Sequence, residues 1–562
     1  MDDKTDKPVP EKQHKSILDR AMKRLKACED AESENREEAL KDFKFAQLGE
    51  QWDDDMLRDR EGRPSLVVNK MAQYINQVVN EQRQAQQGIK VVGVDDKSDR
   101  TVAEIETGLI RNIEYLSKAD IAYDTAYEHA VTGGFGFFGV TTCYADEDTF
   151  DQDIRIRTFE NCFAVHIDPA SMMPDGSDMD YAFVTDKMDK DEYEDKYGEV
   201  YSGEDVPDDY SESWHDKDSV YVREYWERTR EPVKLHLWSN GVTTKEGEPA
   251  PEGAEIVRER DAKEYKVKMY LICGDKVLSE TDFPSRYIPI FPVYGKRINV
   301  AGKVFIRGLT RFARDPQKMF NYWRSATAEK IALAPKTPIF ATAKMVEGYE
   351  NLYDSLNTTP HPWVPYNPDP MAPGATPSRI AADVDVMPII AANQQSEEDI
   401  KASIGIYDPQ LGMDTNQSGR AILALQKQGD TSTYGYQDNL SRAKEQCGRV
   451  IVELIGKLYD TERIVRVLGE DGEADLAVLN KRVPGPGGVM QILNDVTLGK
   501  YDVEVPTGPS YATKRMEAAE SMIQFMQAYP AAAPVLGKHL AKNLDWPGAD
   551  EVAAELAALS PG

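Results

Sequence analysis

Apolar and polar positions along the chain change their period twice, and this divides the sequence into helical and strand-rich stretches. From Asn69, the residues Met71, Tyr74, Ile75, Val78 and Gln82 recur at helical spacing. A second stripe places Val102, Ile105, Leu109, Ile113 and Leu116 on one predicted helix face. Helical character continues over 119–132 and stops at Gly133-Gly134. From about 135 to 295 the period falls to two. Short strand candidates follow one another: FGFFGVTTCY, DIRIRTF, FAVHID, YAFVTD, SVYVREYWERT, VKLHLWS, YKVKMYLI and DKVLSE. Turn signals at 174–176, 239–241 and 273–275 separate them, which predicts a mostly antiparallel region.

Helix returns after 302. Asp315-Pro316 reads as an N-cap with proline at the first helical position, opening PQKMFNYWRSATAEKIALA. Eight prolines over 360–388 predict an extended or looped excursion. A further helix is predicted to open at Ser396, with Asp399 completing a capping box. A long helix is predicted from about Arg420 to Asp460, kinked near Gly429 and Gly435, with Leu440, Cys447, Ile451, Leu454 and Leu458 on one face. Residues 11–60 are charge-dense and helical in character; a short strand region and Ala-rich helices close the chain.

Length and composition refine this picture. A chain of 562 residues exceeds one core, and its 41% hydrophobic content can fill several. No apolar run approaches the length of a membrane span, and the N-terminus lacks the apolar stretch of a secretion signal. Five dispersed cysteines without a CxxC pair read as reduced thiols, with neither disulfides nor zinc expected. The net charge of −30 argues against a tight general nucleic-acid binder, because such affinity comes from Lys and Arg releasing counterions from phosphates.

Candidate chemistry is sparse. Gly134, Gly136 and Gly139 spell GxGxxG, but a helix precedes the motif and a strand follows, the reverse of a dinucleotide site. No P-loop, HExxH, GxSxG or EF-hand pattern occurs. The seven histidines are isolated, and His166 and His236 fall in strand patterns where structural roles are expected. Asp168, Asp175, Asp178 and Asp180 offer carboxylates for a cation, although DPASMMPDGSDMDY reads as a series of Asx turns. The positive signal is Lys296–Lys336, with ten basic residues against Asp315 and Glu329. Lys318, Arg324, Lys330 and Lys336 recur every six residues, so successive members turn by about 120° and form no single stripe.

The order of these elements, with the stretches NKMAQYINQVVNEQRQ, DPASMMPDGSDMDYAFVTDKM, FPVYGKR, RDPQKMFNYWRSATAEKIALAPKTP, GIYDPQLG, SGRAI and YQDNLSRA, resembles the portal proteins of short-tailed double-stranded DNA phages, over roughly residues 60–515. The resemblance implies an α+β portal-type fold, without enzymatic activity or cofactor. It implies an N-terminal arm over 1–60, a wing over 61–305, a first stem helix over 306–334 and a clip over 335–390. A second stem helix over 391–405, a tunnel-loop region over 406–419, a long kinked helix returning to the wing over 420–512 and crown helices over 513–562 would follow. Some relatives add a long C-terminal barrel; a chain ending at Gly562 after an Ala-rich stretch is expected to carry only a short crown.

The same resemblance implies a homo-oligomeric ring, normally of twelve copies, at one capsid vertex of the virion, assembled in the host cytoplasm without a membrane. Its partners would be weakly held double-stranded DNA, the large terminase subunit, a head-tail adaptor, and coat and scaffolding proteins. Arg324, Lys330, Lys336, Asn416 and Gln417 are then the candidates to face DNA, and Trp363 and Tyr366 the candidates to meet the adaptor or motor. Two other classes fit the residues alone. One is a cytosolic hydrolase or nucleotide enzyme using Asp168, Asp178 and Asp180; the other is a different virion structural component.

Overall fold

The computed structural model describes residues 11–85, 88–94, 99–198, 219–247, 249, 253–274, 276–332, 339–356, 359, 361–371, 373–379, 386–405, 419–469, 474–484, 490–497, 499–505, 511–543 and 552. The chain forms two compact units. The larger comprises Met1–Phe43, Gln73–Arg311 and Ile406–Gly562, the smaller Lys44–Ala72 and Phe312–Gly405. Helices and strands are mixed, as an α+β class requires.

In the larger unit, an antiparallel sheet runs in the order Val165–Ile167, Tyr181–Asp189, Ser219–Trp238, Ile256–Cys273 and Lys276–Phe283, with Thr243–Lys245 paired onto Ser219–Trp238. The charge-dense helix Glu11–Phe43 covers one face of it. Ile17, Leu18, Ala21, Met22 and Leu25 recur at helical spacing and pack on Phe183, Tyr225, Tyr270 and Ile272. Phe183, Tyr225 and Tyr270 stack in sequence, with centroids 4.9 and 5.8 Å apart. Arg20 and Arg24 then reach Glu227 at 2.8 and 2.6 Å, so helix charges are used on the sheet rather than left in solvent.

The predicted strands SVYVREYWERT and VKLHLWS are one twenty-residue strand, Ser219–Trp238. Pro232 does not interrupt it. Its missing N–H falls where pairing with Tyr181–Asp189 has ended at Glu227 and pairing with Thr243–Lys245 has not yet begun at Leu235.

A second sheet, ordered Ile290–Tyr294, Phe135–Tyr144 and Gln152–Thr158, lies beneath the helix Ala119–Gly133. The helix ends at Gly134 in the left-handed conformation (φ 109°), which suits glycine. A Cβ at Gly136 would stand 2.0 Å from the Ala126 carbonyl oxygen. The GxGxxG glycines therefore serve a helix stop at Gly134, close helix–strand packing at Gly136, and close approach to Pro289 and Phe159 at Gly139.

The stripe expected on Arg100–Ser117 is rotated. Val102, Leu109 and Ile113 are buried as predicted, but Leu116 is exposed and Glu106 is fully buried in its stead. Packing against the hairpin Arg463–Leu468/Ala474–Leu479, where Gly108 lies against Val467 and Leu468, selects that face.

The long helix spans Gly419–Leu458. Leu440, Cys447, Ile451 and Leu454 are fully buried, whereas Leu458 is only partly so. Gly448 brings this helix against Ile89 and Val503, the latter from the strand pair Lys90–Gly93/Tyr501–Glu504.

Two helix starts differ from expectation. The first helix begins at Leu309, and Pro316 lies inside it. Proline there removes one backbone donor and crowds the Phe312 carbonyl one turn back. Continuity is favoured by the burial of Leu309, Thr310, Ala313 and Gln317 along the first turns. The second helix begins at Met387 with Pro388 in its first turn, so the last of the eight prolines starts a helix. Ser396 is consequently mid-helix, and its hydroxyl donates to the Ala392 carbonyl at 3.0 Å instead of capping.

Candidate functional site

Within the smaller unit, the extended stretch 64–70 is fastened to the helix Leu309–Ala332 by three side chains one turn apart. Ser325 Oγ accepts the Leu66 amide at 2.9 Å, Asn321 Oδ1 the Val68 amide at 3.0 Å, and Gln317 Oε1 the Lys70 amide at 3.3 Å. Four residues of helix advance about 6 Å and two residues of extended chain about 6.7 Å, so the two repeats match over this length. Gln317 Nε2 donates back to the Val68 carbonyl at 2.8 Å, and Gln51 Oε1 accepts from Asn321 at 2.7 Å and from Gln317 at 3.1 Å. Gln317, Asn321 and Ser325 are fully buried. Arg60 and Arg63 close the far end on Glu329, at 3.1 and 3.6 Å.

At least four of the ten basic residues of Lys296–Lys336 are engaged by other parts of the chain. Arg297 donates to the Ser171 and Met172 carbonyls at 2.8 and 3.0 Å. Lys303 pairs with Glu34, Arg311 with Asp42 at 2.8 Å, and Lys318 with Asp53 at 2.8 Å. The counter-charges come mainly from the acidic N-terminal helix, far away in sequence. Of the DNA-facing candidates, Arg324 and Lys330 are exposed, and the Arg324 guanidinium stands 5.6 Å from the Phe320 ring centroid. Lys336, Asn416 and Gln417 lie outside the described residues.

The proline-rich excursion is tied down at a few points. Tyr353 donates to the Pro365 carbonyl at 3.2 Å, Asn367 to the Glu347 carbonyl at 2.8 Å, and Thr342 to Asp369 at 2.6 Å. These bonds leave Trp363 73% exposed and Tyr366 44% exposed. Local packing does not account for Trp363.

The carboxylates weighed for a cation are occupied by their own loop. Asp168 accepts the Ala170 and Asp180 amides at 2.9 and 3.1 Å. Asp178 accepts the Ser171 hydroxyl at 2.6 Å and the Met172 and Met173 amides at 2.6 and 3.1 Å. Burial pushes the Asp178 carboxyl up, but these donors outweigh it and hold it below the usual carboxylate range. Asp180 pairs with Arg228 at 2.9 Å. Among the described residues no group of three or more His, Cys, Asp or Glu side chains could hold a metal ion.

His166 is held neutral in its strand, since burial and the positive charges of Arg36 and Arg223 push its pKa well down. His236 stands 3.8 Å from Glu259 and edge-on to Trp238. No helix among the described residues is long and apolar enough to cross a membrane.

The described arrangement consists of internal fastenings and exposed side chains, and the chain is similar to known proteins over nearly its whole length. The profile of the phage P22-like portal protein family matches residues 22–562. A portal protein of Acyrthosiphon pisum secondary endosymbiont phage 1 is 24% identical over 579 residues, covering 96% of this chain and 80% of that protein. With a family match over nearly its whole length, the chain belongs to the phage P22-like portal protein family and is a structural portal subunit of a phage virion.

Proposed function

We propose that copies of this chain close into a ring, of twelve subunits, at one capsid vertex, and that double-stranded DNA passes through it during packaging and ejection. The single observation that carries this reading is the pairing of three basic residues of this segment with acidic side chains of the same chain. A conduit has to surround a polyanion without holding it, and Lys303, Arg311 and Lys318 are committed to Glu34, Asp42 and Asp53 in a chain of net charge −30. Arg324 and Lys330, with Lys336, Asn416 and Gln417, are the positions proposed to approach DNA.

In this reading the larger unit supplies the wing, with crown helices over 513–562. The helices Leu309–Ala332 and Met387–Ile404 are the paired stem, and 335–390 is the clip. Exposed Trp363 and Tyr366 are proposed to meet the large terminase subunit and then the head-tail adaptor, because exposed aromatics at the end of an excursion suit such contacts. Coat and scaffolding proteins would surround the wing after assembly in the host cytoplasm. Negative-stain imaging of the purified chain tests the ring. Turbine-shaped particles with a central hole are expected, and compact monomers or dimers at all concentrations would rule it out.

A further inference from the structure

The strands Ser219–Trp238 and Ile256–Cys273 run on beyond the rest of their sheet. Over 229–247 and 253–266 no described residue is buried, although the two strands stay paired from Thr229/Lys266 to Leu237/Arg258. A hairpin covered on neither face is marginal by itself. In an antiparallel pair, residues directly opposite share a face. One face of this arm therefore carries Val233, Leu235 and Leu237, with Ala262, Arg260 and Arg258 opposite them. Lys245 and Glu264 pair at its border, and Lys266 pairs with Glu231. Arg258 and Arg260 make no ion pair with any described residue. The face is an aliphatic stripe flanked by two unused guanidinium groups.

Charge identifies the occupant. Residues 229–266 hold seven basic and eight acidic side chains, close to neutral within a chain of net charge −30. The arm is thus a part of the surface that a second copy of this acidic chain can approach without strong repulsion. The same unit also offers a complementary feature. The turn at 145–151 carries Asp146, Glu147, Asp148 and Asp151 without a basic residue, and Phe150 at its tip is 96% exposed. Its hydrogen bonds are its own: Ala145 to the Asp151 carbonyl, Glu147 to Asp146 and Asp151 to Thr149. Two different, mutually complementary patches on one chain make a head-to-tail contact, the kind that closes rings.

We propose that the apolar-and-arginine face of the arm docks on the acidic turn of the neighbouring copy, with Phe150 against Leu235 and Leu237 and with Arg258 and Arg260 facing Asp146 and Asp148. This rests on the ring reading above. The test uses the full chain and measures assembly by native mass spectrometry and sedimentation velocity. The variants are Arg258→Glu/Arg260→Glu, Asp146→Arg/Asp148→Arg, and all four substitutions together. Each pair alone should raise the concentration needed for assembly by about tenfold or more, and the combination should return it toward the parent value. Thermal unfolding should be unchanged in all three, because these side chains are exposed.

Rings that form normally in both double variants overturn the docking and leave the ring reading standing. So does failure of the combined variant to recover while it unfolds normally. Rings that form normally but fail to enter capsids would assign the arm to the coat instead. A parent chain that never assembles removes the ring reading itself, and the docking with it.

Discussion

The Asn321 carboxamide accepts the Val68 amide at 3.0 Å and, through Nδ2, donates to Gln51 at 2.7 Å, joining three segments of the smaller unit at one buried side chain. Asn321→Ala should leave the Val68 donor without its acceptor, at a cost of about 1–3 kcal/mol, and should also remove one of the two donors to Gln51 Oε1, which keeps Gln317 Nε2. Ser325→Ala, which removes a single acceptor, should cost less. Urea unfolding of the two variants would check the order, and equal stabilities would contradict the ladder's importance.

Glu106 is fully buried with neither carboxylate oxygen hydrogen-bonded, and burial pushes its pKa up from 4.5 to about 8. The folded state therefore holds a proton that the unfolded state releases. Its contribution to stability is complete below pH 4.5 and is lost as the pH rises to about 8, by on the order of 4 kcal/mol. Glu106→Gln should flatten that decline and raise the melting temperature at pH 8. His129, lowered from 6.5 to about 4 by burial, has the opposite sign: the stability it contributes is present above pH 6.5 and is lost toward 4. Melting curves of the parent and Glu106→Gln from pH 5 to 9 would separate the two, and parallel profiles would refute the assignment to Glu106.

Duplex DNA should bind weakly at physiological salt, no tighter than the micromolar to sub-millimolar range of non-specific contacts. Arg324→Ala and Lys330→Ala should shift the affinity only slightly. Fluorescence anisotropy over a salt series would show this, and a nanomolar dissociation constant would contradict a conduit that does not grip.

Deleting 360–377 should leave soluble, folded protein while impairing adaptor docking. Trp363→Ala should change stability by less than about 0.5 kcal/mol, since the side chain is 73% exposed, yet reduce adaptor or motor binding. Pull-down with either partner, alongside thermal unfolding, measures both effects. Loss of soluble protein on deletion would count against the excursion being a separable docking element.

By contrast, Gly136→Ala should prevent normal folding. The added methyl would sit 2.0 Å from a backbone carbonyl that cannot retreat without moving its helix. Expression as insoluble protein, or a large loss of cooperative unfolding, is the expected result.

The sequence by itself determined the strand-rich stretch of 135–295, the reversed order around GxGxxG and the apolar face at 440–454, because period-two and helical patterns are local properties. It also placed the family, since order and wording extend along most of the chain. Local signals misplaced two helix starts: Asp315-Pro316 and Ser396-Asp399 have the chemistry of caps, but the helices run upstream of them to Leu309 and Met387, the first with Leu309, Thr310 and Ala313 buried. Only the tertiary structure decided what the basic segment does. Lys303 and Arg311 meet Glu34 and Asp42 about 270 residues away, and Gln317, Asn321 and Ser325 meet the backbone of 66–70 about 250 residues away, separations at which no spacing rule operates. The same holds for Glu106, whose burial followed from a rotation of its helix that the pattern of apolar residues did not specify.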